Sequence, residues 1–421
     1  MAADRPASYR SVFAVPEFRP LFGSYLLSTI GDELARLALT VLVYQRTGSA
    51  LLSAATFAIS YLPWLLGGPV LSALADRFPR RTVLVASDAA RAVLVGVMAL
   101  PGMPLPALLV LLLAVSVCSP PFESARSALT ADILTDDRYA VATSVTGILQ
   151  QVSQIGGFLL GGFLATAFTP SLALAVNALT FAVSAIWLAA GLQRRPAPVP
   201  EDGTDPGTVL TDVGRGLRLV LGTPRLASIV AVLWVGVLFV NGPEGIVTPL
   251  SVELTGSAAL VGVLLSAQPA GTIVGAVLVG RFTSPARREQ LMVPLVVLSL
   301  VPLVLVWPAL HLGGTGALVA VTALLALSGA GSAWTIPLNV VFVQAVPSAY
   351  RGRAFGVAIA GLFGAQGLGA VGAGALASEL PPTAVVGVLG AVGLVAVVPT
   401  LVALVRTRPP TDAGTAGPSR A

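Results

Sequence analysis

The sequence predicts an all-α integral membrane protein, and three observations lead to this fold class. Hydrophobic residues fill 55% and charged residues 10% of the 421 positions, whereas soluble domains carry roughly 25% charged residues. The mean hydropathy is +0.89. Apolar runs such as residues 105–117 are continuous, unlike the alternating strands of a membrane barrel. Because a spanning helix needs roughly 20 residues, the chain has room for twelve transmembrane helices and little else.

The individual helices are predicted from apolar runs that proline, glycine and charged residues separate. They begin near residues 20, 51, 82, 106, 140, 171, 226, 258, 291, 317, 354 and 383. The first run, 21–43, follows Arg10 and Arg19. It is too long for a cleaved secretory signal, so we expect it to remain as the first span.

The tract between the sixth and seventh helices is rich in proline and acidic residues, which is typical of a flexible linker. The Thr-Gly-Ser-Ala sequence at 47–50 recurs at 255–258, so we expect two pseudo-symmetric halves around a site that is exposed alternately to each side. The predicted parts are an N-terminal six-helix bundle over 1–193, a cytoplasmic linker over 194–224, a C-terminal six-helix bundle over 225–407 and a cytoplasmic tail over 408–421.

The basic residues predict the orientation, and all 24 of them are arginine. If both termini are cytoplasmic, only Arg46 falls outside, Arg36 and Arg91 fall within spans, and every other arginine is cytoplasmic. Because positive charge resists translocation, we expect a multi-pass protein of the cell membrane with both termini in the cytoplasm. The net charge of +5 is then topological and indicates no nucleic-acid partner.

Residues 72–81 resemble the loop motif G-x-L-a-D-r-x-G-r-[rk] of the major facilitator superfamily, with Ser72 and Pro79 in place of the two glycines. Further segments look like the branch of enterobactin exporters and macrolide efflux proteins. These segments are residues 16–19, 31–32, 44–50, 87–92 and 125–129. The resemblance implies the major facilitator fold and the export of a small amphiphilic molecule such as a drug, siderophore or specialised metabolite. We expect alternating access with proton antiport.

The charged residues near the cytoplasmic mouth predict a gate. An acid and arginines there can dock onto neighbouring helix ends and hold one conformation, although simple topological anchoring is an alternative. Asp88 and Arg91, at i and i+3, are expected to compensate each other. The predicted gate residues are Asp76, Arg77, Arg80, Arg81, Asp88, Arg91, Glu123 and Arg126.

Three carboxylates are candidates for proton coupling, because a partly desolvated acid can take up and release a proton. Asp32 and Arg36, at i and i+4, could form an internal ion pair that leaves Glu33 over. On this interpretation Asp32→Asn lowers expression, whereas Glu33→Gln and Glu244→Gln spare it. The repeat places Glu244 opposite Arg36, its predicted charge partner, although Glu244 could instead be exposed at the periplasmic end.

Polar residues on the predicted helix faces are candidates for the substrate cavity. They are Tyr25, Gln150, Gln151, Gln154, Asn241, Gln268 and Gln366. Residues 157–162, Gly-Phe-Leu-Leu-Gly-Gly, resemble the antiporter motif G-P-x-x-G-G with Phe158 in place of the proline. Small residues at these positions also permit close helix packing without any transport role.

Several chemistries are excluded. The only cysteine, Cys118, cannot form an internal disulfide or a cysteine metal cluster. The only histidine, His311, is predicted in an outside loop, which excludes a histidine proton relay within the membrane. Because the chain has no lysine, it has no Walker motif and no direct use of ATP. We expect no metal, no cofactor and no enzymatic activity, but a functional monomer whose partners are a small-molecule substrate, protons and the lipid bilayer. The alternatives are a lipid or lysophospholipid flippase and a facilitator without proton coupling. A channel needs no alternating halves, and a receptor would be expected to carry a soluble signalling domain.

Overall fold

The computed structural model describes residues 9–65, 71, 77–134, 136–197, 208–283, 290–347 and 350–407, and all regular structure in these ranges is helical. In chain order the α-helices are α1 Tyr9–Phe13, α2 Phe18–Thr47, α3 Ala50–Ile59, α4 Arg80–Met98, α5 Leu105–Val117, α6 Ser119–Ile133, α7 Asp136–Ala167, α8 Pro170–Gly191, α9 Thr208–Gly222, α10 Pro224–Asn241, α11 Val247–Thr255, α12 Val261–Phe282, α13 Met292–Val304, α14 Gly314–Gly331, α15 Thr335–Ala345, α16 Arg351–Leu376 and α17 Pro382–Arg406. Short 3₁₀ turns cover Gly242–Ile246, Ala258–Leu260, Pro308–Leu312 and Ser332–Trp334.

The predicted helix starts agree with observed starts, and the largest difference is the prediction of 140 for α7, which begins at Asp136. The predicted linker, 194–224, contains a helix, α9. Val220 of α9 is fully buried in a core cluster, and Gly216 packs closely on the backbone of Arg353 in α16. This packing stabilises a helix that the polar composition of the linker does not predict. Residues 198–207 and the predicted tail 408–421 lie outside the described residues.

Three long helical stretches are interrupted near their middle. The Gly242–Ile246 turn separates α10 from α11, as the Gly-Pro-Glu-Gly sequence predicts, because Pro243 lacks the N–H that an α-helix needs. Comparable interruptions divide α5 from α6 at Cys118 and α14 from α15 at Ser332–Trp334. The structure therefore places irregular backbone inside the bundle, where protein rather than lipid surrounds it.

Seven helical stretches among the described residues are long and apolar enough to cross a membrane. They are Leu105–Ile133, Pro170–Gly191, Pro224–Thr255, Ala258–Phe282, Gly314–Ala345, Gly352–Leu376 and Pro382–Arg406. Three other long helices, α2, α4 and α7, are not in this set although each has at least 19 residues. Their central charged residues and glutamines make them less apolar, and the same helices line the cavity described below.

The glycine turns lie at one end of the helices, which we call the turn end. Gly48 and Gly256 adopt left-handed φ angles of 64° and 71°, and each N–H closes the preceding helix at 2.8 Å, to Tyr44 and Val252. The Thr-Gly-Ser repeat thus forms the same turn twice, which confirms that the two copies are structurally equivalent. The opposite end carries Tyr9 and Arg406, and we call it the termini end.

The first half of the chain meets the second half along a seam of small residues near the turn end. A Cβ atom added to Gly162 in α7 would lie 2.9 Å from the Cα atom of Gly262, in the first turn of α12. A Cβ atom added to Gly374 in α16 would lie 2.5 Å from the Cβ atom of Ala54 in α3. The two backbones therefore touch at these points, and the seam closes the molecule on the turn side.

Candidate substrate cavity

A cavity of about 680 Å³ extends from this seam toward the termini end. Most of its wall comes from the first half, and the described lining from the second half consists of Ile359, Leu362, Phe363 and Gln366 of α16. The volume falls within the range of roughly 300 to 1,000 Å³ that is usual for small-molecule sites. The cavity is thus a candidate site for a small molecule.

The predicted cavity residues divide into two groups. Tyr25, Gln150, Gln154 and Gln366 line the cavity, whereas Gln151, Asn241 and Gln268 are not part of its described wall. Asn241 donates to Glu244 Oε1 at 3.0 Å, and Gln268 donates to the Val240 carbonyl at 3.4 Å. These two amides satisfy polar groups within the second half, so hydrogen bonding inside the bundle explains their placement.

The ion pair of α2 joins Glu33 to Arg36, and the interpretation that pairs Asp32 with Arg36 is wrong. Arg36 Nη1 lies 3.0 Å from Glu33 Oε2. The rings of Phe57 and Tyr61 lie 5.4 and 5.3 Å from the guanidinium carbon and accept it by cation–π contact. They hold Arg36 on the Glu33 side of α2, where the longer glutamate side chain reaches it.

The glycines of the 157–162 motif create the space around this pair. A Cβ atom on Gly157 would lie 2.6 Å from Glu33 Cβ and 2.8 Å from the Ile30 carbonyl, and one on Gly161 would lie 3.0 Å from Leu34 Cα. Two glycines of the motif therefore let α7 approach α2, and the third, Gly162, contacts the second half. Close packing accounts for all three glycines.

Asp88 and Arg91 form a second pair, and they lie in the interior of the first half instead of at a gate. Arg91 Nη1 is 3.4 Å from Asp88 Oδ1, and the two side chains are 2% and 0% exposed. Ser28 and Ser184 both donate to Asp88 Oδ2. The pair thus joins α2, α4 and α8, and its compensation at i and i+3 is as predicted.

A third pair, Glu123 and Arg126 of α6, lines the cavity closer to the termini end. Arg126 Nη2 donates to Glu123 Oε2 at 2.7 Å, and its guanidinium carbon lies 4.0 Å from the centre of the Tyr25 ring. Each of these three pairs joins an acid to the arginine three positions later in the same helix, about one turn along its surface.

Asp32 lines the cavity and belongs to none of these three ion pairs. Among the described residues it forms no salt bridge, although Arg91, Arg36 and Glu123 surround it. Glu244 also forms no salt bridge in the described chain, and it lies within electrostatic range of Arg36. The described lining of the cavity thus holds three carboxylates, of Asp32, Glu33 and Glu123, and three guanidinium groups, of Arg36, Arg91 and Arg126.

The arginines of the predicted gate dock within their own half. Arg80 forms a salt bridge with Asp132 at the end of α6, and Arg81 donates to the Ala189 carbonyl near the end of α8. Cations are favoured at such C-terminal helix ends. Arg77 is exposed, and Asp76 lies outside the described residues. The described arginines thus stabilise the termini end of the first half.

Another ion pair at the termini end joins the start of α2 to the chain beyond α8. Arg195 binds both carboxylate oxygens of Glu17, at 2.8 and 2.6 Å, and the Gln193 N–H donates to Glu17 Oε1. The hydrogen bonds from Arg195 hold the pKa of Glu17 below its usual range. This contact attaches the beginning of the predicted linker to the first half.

Sequence reasoning missed the aromatic end of the cavity. The Phe363 ring of α16 stacks on Tyr61 and Trp64 of the first half, with ring centres 5.6 and 4.9 Å apart. Gln366 Oε1, one turn further along α16, is buried and has no hydrogen-bond partner among the residues that the structure describes. The spacing of Tyr61 and Trp64, three residues apart on one helix face, is the signal that could have identified this wall.

Sequence comparison places this architecture in a known family. The profile described as Major Facilitator Superfamily matches residues 21–248 and 235–421. A relative in Bacillus subtilis (strain 168), described as the uncharacterized MFS-type transporter YfiS, is 29% identical over 369 residues, which are 85% of this chain and 86% of the relative.

Solved structures share the fold at low sequence identity. A mutant of a peptide transporter POT in complex with sulfate superposes with a TM-score of 0.73 and 15% identity, covering 96% of this chain and 97% of the other. A mutant of the nucleoside transporter NupG superposes with a TM-score of 0.69 and 15% identity, covering 91% of this chain and 99% of the other. A bacterial homologue of the human lysosomal transporter Spinster, in an inward-facing and unoccupied conformation, superposes with a TM-score of 0.60 and 17% identity. The match covers 93% of this chain and 95% of the homologue.

The family match and the described relative indicate a multi-pass membrane transporter rather than an enzyme. The chain belongs to the major facilitator superfamily.

Proposed function

We propose that this transporter exports small amphiphilic molecules, such as a drug, a siderophore or a specialised metabolite, by alternating access coupled to proton antiport. The observation that carries the proposal is the cavity, whose described wall combines charged residues with aromatic rings. Apolar walls with a few polar groups suit a ligand that is partly apolar and partly polar. The resemblance to enterobactin exporters and macrolide efflux proteins supports the direction of transport.

The proposed topology has twelve spans in two six-helix bundles, over 1–193 and 225–407, with both termini in the cytoplasm of a cell-membrane protein. Arginine placement supports it, since the termini end carries Arg80, Arg81 and Arg195 while Arg46 lies at the turn end. With this orientation the seam faces outward and the cavity faces the cytoplasm. The described conformation would then receive substrate from inside the cell.

Asp32 and Glu244 are the acids that we propose for proton coupling. Neither forms a salt bridge among the described residues, whereas Glu33 is engaged by Arg36. A carboxylate without a fixed countercharge can exchange a proton as the cavity changes sides. We therefore assign Glu33 a structural role in α2. The sequence alone had made it a candidate for proton coupling equal to Asp32 and Glu244.

The proposal is tested in proteoliposomes that contain the full chain and an imposed pH gradient. A panel of lipophilic compounds is offered, and uphill accumulation is compared with downhill counterflow. Wild type should accumulate substrate only with the gradient present. Asp32→Asn or Glu244→Gln should abolish uphill transport and retain counterflow, because an amide keeps the size and loses the titratable proton.

A solvent-exposed acid provides the matched control, since Asp137→Asn at the start of α7 should leave both measurements unchanged. Uphill transport with wild-type pH dependence in the Asp32→Asn, Glu244→Gln double variant would contradict proton coupling at these acids. Movement of fluorescent lysophospholipid between leaflets, with no substrate uptake into the lumen, would favour a flippase instead.

A further inference from the structure

The first half of the chain has a second cavity at the termini end, which we call the basic pocket. Its volume is about 330 Å³, and its described wall shares no residue with that of the substrate cavity. The wall comes from the start of α4, the end of α6 and the segment that follows α8. Three arginines line it, Arg80, Arg81 and Arg195. The function proposed above gives these arginines no ligand.

The positive charges of the basic pocket exceed its negative charges. Arg80 forms a salt bridge with Asp132, the one acid of the described wall, and Arg195 is bound by Glu17. Arg81 forms no salt bridge among the described residues, and its single hydrogen bond there goes to a backbone carbonyl near the end of α8. Because a carbonyl oxygen carries only a partial charge, the described pocket holds one positive charge in excess, at Arg81.

Most hydrogen-bond donors of these arginines are unengaged. A guanidinium group has five N–H donors. Within the described chain Arg81 uses one of them and Arg195 uses two. The Nε atoms of Arg80 and Arg81 are buried and have no hydrogen-bond partner there. Unpartnered buried donors are destabilising, so the pocket suits a ligand with several acceptor atoms.

The backbone beside the pocket has the same sign of charge. Arg80 and Arg81 begin α4, whose first turn contains no acid and whose N-terminal end has no side-chain cap. The N-terminal end of a helix carries a partial positive charge and favours an anion beside it. The excess charge, the unengaged donors and this helix end therefore all favour an anionic ligand.

The anion that best matches these donors is a phosphate group. Guanidinium groups bind phosphate oxygens through two parallel N–H bonds, and a tetrahedral phosphate can present oxygens to more than one arginine. The volume lies near the lower end of the range of roughly 300 to 1,000 Å³ for small-molecule sites, which leaves room for a small organic group. Leu129, Pro196 and Ala197 of the wall can contact that group.

We infer that the basic pocket binds an anionic phosphate ester with a small organic group, and that Arg81 is the residue that recognises its charge. This inference goes beyond the proposed function, because the pocket lies outside the substrate cavity. Two sources offer this chemistry, the headgroup of an anionic phospholipid and a soluble phosphate ester. In the proposed topology the pocket faces the cytoplasm, and the cytoplasmic leaflet carries anionic lipids.

The test uses the delipidated full-length chain and has one arm for each source. In the soluble arm, methyl phosphate is titrated by calorimetry into the protein in a neutral detergent. In the lipid arm, the melting temperature is compared in phosphatidylcholine nanodiscs with and without phosphatidylglycerol. We expect saturable binding of methyl phosphate or a higher melting temperature with phosphatidylglycerol, and the arm that responds identifies the source.

Three variants test the residues of the pocket. Arg81→Gln should weaken binding by about tenfold and remove most of the stabilisation by phosphatidylglycerol, because the excess charge is lost. Asp132→Asn should tighten binding roughly threefold, because it removes a carboxylate that competes for Arg80. Arg77→Gln is the matched control, since Arg77 is exposed, lies four positions before Arg81 and is not part of the described wall. This control should respond as wild type does.

The inference is overturned if neither arm responds in wild type, if folded Arg81→Gln responds as wild type does, or if Arg77→Gln loses as much as Arg81→Gln. If gel filtration shows that Arg81→Gln does not fold, Asp132→Asn decides, because Asp132 is 40% exposed and its substitution changes affinity in the opposite direction. Unchanged or weaker binding in Asp132→Asn would then overturn the inference.

Failure of the proposed function gives a different pattern. The binding measurements use no gradient and no transported compound, so loss of gradient-driven export would leave a response that depends on Arg81 unaffected. Uphill transport by a chain that responds in neither arm would contradict only the basic pocket.

Discussion

Asp32 and Glu33 are adjacent in α2 and chemically alike, yet their surroundings give them different tasks. Glu33 is 7% exposed and bound to Arg36, whereas Asp32 lines the cavity without a salt bridge in the described chain. Removing one member of a buried pair leaves the other charge uncompensated, while removing an unpaired acid does not. The two acids should therefore respond oppositely to amide substitution.

We expect Glu33→Gln to lower the yield of folded protein and its melting temperature, with a destabilisation of up to about 3 kcal/mol. Asp32→Asn and Glu244→Gln should leave both unchanged. This order reverses the one predicted from the sequence, which assigned Arg36 to Asp32. Thermal unfolding of the detergent-purified variants measures their relative stability. The double variant Glu33→Gln, Arg36→Gln should recover part of the stability that Glu33→Gln loses, because it leaves no unpaired charge. A stable Glu33→Gln beside an unstable Asp32→Asn would refute the assignment.

The Glu17 pair gives a prediction for pH. Because contact with Arg195 lowers the pKa of Glu17 in the folded protein, the stabilisation is present above the unfolded pKa of about 4.3 and is lost as the pH falls through the folded pKa. Its size should be at most about 1 kcal/mol, since Arg195 is partly exposed to solvent.

The experiment compares the melting temperatures of wild type and Glu17→Gln. Wild type should be more stable by a constant margin from pH 8 to about 5, and the margin should shrink below about pH 4. Glu253→Gln, at an acid whose bonds to Thr383 lie in the second half, tests whether acid destabilises the chain through other carboxylates. A margin for Glu17→Gln that grows toward low pH would contradict the sign.

At the scale of the helices, α7 packs closely on α2, and glycine spacing permits this packing. At Gly157 an added Cβ atom meets the Ile30 carbonyl and Glu33, whereas at Gly156 nothing lies within 4 Å. The two glycines are neighbours in sequence and point in different directions, so they form a matched pair. Overpacking of a close helix contact typically costs about 1 to 3 kcal/mol.

We expect Gly157→Ala to lower the melting temperature by that cost, because α7 must move away from α2. Gly156→Ala should be neutral or slightly stabilising, since alanine favours a helix by up to about 1 kcal/mol over glycine. Thermal unfolding in detergent measures both. Equal effects of the two substitutions would show that the motif does not act through this contact.

The helices themselves could largely be predicted from the sequence, since apolar run length alone determines where spans begin. The ion-pair partners of the charged residues could not be predicted, because a helix allows an acid to pair with an arginine either three or four positions later. All three pairs of the cavity region use i and i+3, and the aromatic rings of Phe57 and Tyr61 favour this for Arg36. Those rings belong to another helix, so the pairing depends on tertiary contacts that composition does not contain.

At the scale of the whole molecule, orientation can be tested with two cysteines in a Cys118→Ala background. Ala197 lies near the termini end, and Leu312 is 65% exposed in the Pro308–Leu312 turn. We expect an impermeant maleimide on intact cells to label Leu312→Cys and not Ala197→Cys, because the arginine-rich end stays inside. After permeabilisation both should be labelled. The opposite pattern in intact cells would invert the topology.

The uneven wall of the cavity has a consequence for energy transduction. A ligand shifts an equilibrium between two conformations only by its difference in affinity for them. If the halves move as bodies, contacts with the first half persist in both states, and the α16 residues Ile359, Leu362, Phe363 and Gln366 supply the difference. A tenfold bias needs about 1.4 kcal/mol, close to one aromatic pair. Choice of ligand and conversion of binding into motion would thus reside in different halves of the chain.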